Sequence, residues 1–155
     1  MKKRMKGFTL VELIVVIAII GVLAAILVPS MMGYVKGSRL KTANSNAKLV
    51  FTTVSSLAAD KETQGQPLAD GAKTIDCVNG SGDDVTEAVV NALSDNGKGA
   101  GEAYIDIQNG GIVLSEWHKQ SGDTVVGRYP NPGAEVKGSD ILGEDGNPIT
   151  DFHLS

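Results

Sequence analysis

Glu12 is the only charged side chain in residues 8–28, FTLVELIVVIAIIGVLAAILV. A carboxylate near the start of an apolar helix costs on the order of 3 kcal/mol on membrane-insertion scales, so something must compensate for it. The chemistry open to it is ion pairing in a dry place. A cut before Phe8 creates a free amine four residues away, and in a staggered array of helices Glu12 of one copy would meet the Phe8 ammonium of the next. Such a pair is favourable only in good geometry, and breaking it strands one charge, which makes it a device for registering subunits.

The rest of the chain offers little reactive chemistry. His118 and His153 are the only histidines and have no ligand-like spacing to Cys77, so no zinc site is expected. His118 follows Trp117 at a strand end and is expected at the surface. Cys77, the single cysteine, cannot form an intramolecular disulfide and reads as a small buried hydrophobe. Gly97-Lys98-Gly99-Ala100-Gly101 lacks the pattern of a phosphate loop and reads as a flexible connector. Glu144-Asp145-Gly146-Asn147 with Asp151 gathers oxygen donors around a Gly turn, as calcium requires, but the spacing is not that of an EF-hand loop and Asp-Gly-Asn-Pro is equally a plain turn. No catalytic, cofactor-binding or metal residue is therefore assigned, no cofactor is expected, and the chain does not read as an enzyme.

The elements that position Glu12 come next. A helix needs roughly 20 apolar residues to cross a bilayer, and 8–28 supplies them. A plain anchor and a secretory signal peptide with small residues near Ala24-Ala25 both fit that length, but neither gains anything from Glu12. Pro29 predicts a kink or local melting around Val28–Met32. Beyond it Leu40, Ala43, Ala47, Val50, Val54 and Leu57 recur every three or four residues, widened by Phe51 and Ala58, so an amphipathic helix is expected to continue to about Ala59. Lys36, Lys41, Ser45, Lys48 and Ser55 fall mostly off the stripe, and Thr42, Asn44, Ser45 and Asn46 are expected to stay exposed or to face neighbours.

Lys6-Gly7-Phe8-Thr9-Leu10-Val11-Glu12-Leu13 resembles the prepilin processing site of the type IV pilin family, which includes type II secretion pseudopilins and competence pilins. The resemblance covers about residues 2–60. It implies cleavage between Gly7 and Phe8 by a membrane prepilin peptidase, methylation of the Phe8 amine, and a role for Glu12 in assembly. Gly7 suits the cut, since without Cβ an extended chain can approach a catalytic site closely. The expected function is a structural subunit of a homo-oligomeric helical type IV pilus filament, raised from the cytoplasmic membrane by a pilus assembly platform. A pseudopilin of type II secretion or competence and a tip adhesin subunit are the alternatives. Lys2, Lys3, Arg4 and Lys6 place the leader in the cytoplasm and the remainder outside, so the precursor is a single-span membrane protein and the assembled subunit extracellular. Some secretion pseudopilins hold calcium in a C-terminal loop, and many pilins close such a loop with a disulfide, which Cys77 alone cannot supply.

The expected organisation is leader 1–7, transmembrane and filament-core helix 8–33, amphipathic continuation 34–60 and extracellular globular head 61–155. The head carries a net charge of −10 and the 34–60 segment +3. An acidic head argues against direct binding of nucleic acid, which needs clustered cations to displace counterions. Residues 61–82 read as a loop. Asp84-Val85-Thr86-Glu87 has capping-box spacing and opens a helix to Leu93, ended by Asn96-Gly97 and Gly99. AYIDI (103–107) and IVLSEWHK (112–119) flank Asn109-Gly110-Gly111, a hairpin pattern, and TVVGRY (124–129) adds a third strand. Residues 130–155 read as loops with a short edge strand. The fold class is α+β: a long N-terminal helix packed on a small antiparallel sheet.

Overall fold

The computed structural model describes residues 7–94 and 101–154. Lys2, Lys3, Arg4 and Lys6 of the leader, and the Asn96-Gly97 and Gly97–Ala100 features, lie outside the described residues. The fold is α+β. Helix α1 spans Leu10–Thr63 and crosses the boundary between two compact units, one ending at Val35 and one beginning at Lys36. No melting occurs at Pro29: helix continues through Val28–Met32. The proline ring withholds one N–H, leaving the carbonyl of Ala25, four residues earlier, without its helical donor; one lost bond does not break a helix of this length.

In the second unit the apolar stripe of α1 is the core. Leu40, Ala43, Ala47, Val50, Val54 and Ala58 are buried, with Leu57 and Phe51 packed at the margin. Asn44 and Asn46 depart from expectation. Asn46 is buried, and Asn44 is half-buried because its Nδ2 donates to the Gly133 carbonyl (2.8 Å) while its Oδ1 accepts the Arg128 amide (3.1 Å). An amide side chain carries both donor and acceptor, so Asn44 can bind a neighbouring loop from the helix flank.

Small residues let backbones meet at this interface. A Cβ on Gly127 would lie 2.0 Å from the Ala43 carbonyl carbon, and the Ser115 hydroxyl donates to the Ala47 carbonyl at 2.8 Å.

The sheet is antiparallel with the order β1 (Gly71–Asp76), β2 (Glu102–Gln108), β3 (Gly111–His118) and β4 (Gly127–Tyr129). The β2–β3 hairpin turns at Asn109 (φ 54°) and Gly110 (φ 76°), the two positive-φ positions that a type I′ turn requires and that Asn-Gly satisfies. Strand β1 lies where a loop was expected, and pairs from Gly71↔Ile107 to Asp76↔Glu102.

Helix α2 (Asp84–Ser94) starts one residue away from the expected cap: Asp83 accepts the Thr86 amide at 2.9 Å, so Asp83 and not Asp84 is the N-cap. The region 130–155 contains a hairpin of β5 (Glu135–Lys137) and β6 (Asp140–Leu142), more order than the single edge strand expected.

Candidate functional site

In the first unit every described side chain from Gly7 to Val35 is exposed, Phe8 at 80%. Burying roughly 25 cal/mol per Å² of such apolar surface is the driving force available to this unit, and lipid or other copies of the helix can supply the cover. By length and composition α1 is the one helix among the described residues apolar enough to cross a membrane. At its start, a Cβ built on Gly7 meets nothing within 4 Å, so the Gly7–Phe8 bond lies in open space.

Glu12 does not stand alone. The Thr9 amide and hydroxyl donate to Glu12 Oε2 at 2.9 and 2.6 Å, and the Glu12 amide donates back to Thr9 Oγ1 at 3.3 Å. This is a capping box with Thr9 as N-cap and Glu12 at the third helical position; it satisfies backbone N–H groups that have no partner inside the helix. The box explains why helix begins at Leu10 and leaves Phe8 outside it. Its Thr-x-x-Glu signal, Thr9-Leu10-Val11-Glu12, is present in the sequence.

The secondary candidates sort differently. His118 is not at the surface: it is fully buried, with Nε2 2.8 Å from Glu102 Oε2, and Nδ1 meets no partner. Cys77 is buried, and burial, with a smaller push from the Asp76 charge, raises its thiol to about 12, which keeps it protonated and unreactive.

The calcium-like loop is occupied by its own partners. Asp145 accepts the Asn147 side-chain amide and backbone amide, each at 3.0 Å, and these hold it below the usual carboxylate range. Both oxygens of Asp151 are taken by Arg128, at 2.6 and 2.9 Å. Among the described residues no three His, Cys, Asp or Glu side chains converge as metal ligands.

Sequence reasoning missed Glu116. It sits in β3 with 0% exposure and accepts the His153 and Leu154 amides at 2.8 and 3.1 Å. Nothing local in LSEWHK marks a buried charge.

Residues 2–28 match the prokaryotic N-terminal methylation motif. The chain is 41% identical over 59 residues to the type IV major pilin protein PilA of Myxococcus xanthus, covering 38% of this chain and 27% of that protein. It is 40% identical over 97 residues to the fimbrial protein EcpC of Eikenella corrodens (63% and 61%) and 38% identical over 66 residues to the type IV major fimbrial protein FimA of Dichelobacter nodosus (43% and 42%). The matched regions thus span from about a quarter to three-fifths of these relatives. No solved structure matches the chain closely.

Proposed function

We infer that this chain is a type IV pilin, a structural subunit of a type IV pilus; the N-terminal methylation motif and the similarity to fimbrial proteins support the reading. Prepilin peptidase cuts between Gly7 and Phe8 and methylates the new amine. The precursor waits in the cytoplasmic membrane with its basic leader inside and its head outside. The assembly platform then moves the apolar unit from lipid into a helical filament of identical copies, where Glu12 meets the Phe8 ammonium of a neighbour.

The observation that carries this reading is a single carboxylate in the otherwise apolar, exposed N-terminal segment of α1 (residues 10–28), one turn from an open Gly7–Phe8 bond. A lipid-only anchor would be easier to insert without Glu12, by on the order of 3 kcal/mol. Filament packing gives that cost a return, because a paired charge fixes the stagger between helices.

Intact mass and N-terminal sequencing of sheared surface material test the processing step. The expected first residue is N-methylated Phe8. A start near Leu27, as a signal peptidase would give, or an uncut Met1, would overturn the reading.

A further inference from the structure

Side chains alternate along β3, so Ser115 and Trp117 face α1 while Glu116 and His118 face the opposite side of the sheet. On that opposite face lies residues 151–154, a segment that pairs with no strand. Its polar anchors converge on two residues. Glu116 Oε2 accepts the consecutive His153 and Leu154 amides, and Glu116 Oε1 lies 3.2 Å from His153 Nδ1. Arg128 holds Asp151 with two parallel bonds and sets its guanidinium 6.0 Å over the Phe152 ring. The His153 ring stacks on Tyr104 at 4.3 Å with planes 3° apart, and Leu154 is buried in the core. With one cysteine in the chain, no intramolecular disulfide closes this segment.

We propose that residues 151–154 form a strap that opens and closes on the folded head as a unit, with Glu116 as its lock. A buried carboxylate is costly when left without partners. Here the second partner stays behind: Arg128 Nε, on β4, lies 3.9 Å from Glu116 Oε1. When the strap lifts, water reaches Glu116 while Arg128 still neutralises it, so the open state keeps its charge paired and the sheet intact. Opening uncovers the Tyr104 ring and the Glu116 carboxylate, and closing returns Leu154 to the core. The sheet itself is held by its own ladder, which includes none of the strap. Strap opening is therefore a local equilibrium separate from unfolding, as expected where few backbone groups belong to a ladder.

Site-resolved hydrogen exchange on the full chain in detergent micelles tests this. In the parent, the His153 and Leu154 amides are expected to be protected, yet to exchange faster than the paired amides of β2 and β3. Glu116→Gln replaces a charged acceptor by a neutral one at both bonds, and should lower protection at those two amides by about tenfold or more, leaving β2 and β3 unchanged. Asp151→Asn weakens the Arg128 pair at the exposed end of the strap and leaves both Glu116 bonds to the strap amides in place, so it guards against a variant that fails to fold; it should lower strap protection several-fold with the ladder intact. Strap amides as slow as those of β3 in the parent would overturn the proposal. So would strap protection unmoved by Asp151→Asn, or simultaneous loss of strap and ladder in both variants.

Discussion

Thr9 and Glu12 hold each other in both directions at the start of α1, amide and hydroxyl to carboxylate and amide back to hydroxyl. In a single subunit the carboxylate is thus a helix cap. In the proposed filament it is also a counter-ion, and the two roles make separable demands. Capping needs an acceptor; pairing needs a charge.

Glutamine separates them. Glu12→Gln keeps an acceptor at the third helical position, which a capping box accepts, but carries no charge. Glu12→Val loses both. Insertion and leader cleavage should stay near parental levels for either, because removing the charge eases insertion, while sheared filaments should fall sharply for both. Glu12→Asp should lie between, keeping the charge with a shorter reach. Parental filament yield from Glu12→Gln would show that capping alone explains the residue, and the intersubunit pair would have to be abandoned.

Val54→Asp and Lys48→Asp test the face that α1 presents to the sheet. Val54 is fully buried, so an unpaired carboxylate there should cost several kcal/mol, a large share of a typical 5–15 kcal/mol total. Lys48 is exposed and lies 5.8 Å over the Tyr129 ring, so its loss should cost about 1 kcal/mol or less. The buried Trp117, the only tryptophan, reports head melting by fluorescence. Equal melts for Val54→Asp and the parent would refute the assigned face.

Asp83 ties stability to acid. The Lys73 ammonium beside it, and then the Thr86 amide and hydroxyl, hold its carboxyl down at about 2. A depressed carboxyl contributes stability in full above its unfolded value near 3.9 and loses it as pH falls toward 2. The Asp83 side chain is 59% exposed, so solvent screens the ion pair and the effect is modest. Asp83→Asn keeps the cap without the titration. The parent's melting temperature should therefore drop further than the variant's between pH 4 and 2, and parallel curves would remove Asp83 from the acid response.

What was legible in the sequence follows the physics of each element. The α1 stripe repeats over five turns, and Asn109-Gly110 names its turn type because few residues tolerate two positive φ values in succession. Strand β1 was illegible because only Ile75 on the strand and Cys77 just beyond it turn fully inward, leaving too short an alternation to stand out. Asp83 and Asp84 both suit a cap, and only the Thr86 amide decides between them. Glu116 is buried by a segment 37 positions away and His118 pairs across the sheet with Glu102, partnerships no local pattern encodes. Thr9-x-x-Glu12 is a local cap signal, but it lies inside an apolar run where the charge of Glu12 is its more conspicuous property.

The bond from Ser115 to Ala47 joins positions 68 apart. The apolar stripe on α1 is therefore synthesised well before the strands that cover it. At about 5–20 residues per second, Ala47 waits roughly 3 to 14 s for Ser115 to be made. During that interval β3 and β4 are still missing from the sheet, and closing so long a loop carries its own entropic cost. The β2–β3 hairpin closes through a two-residue turn, so its own pairing is local in sequence, whereas its contacts with α1 are not. The core of the second unit thus rests on contacts far apart in sequence, and the amphipathic part of α1 gains its full cover only once β3 exists.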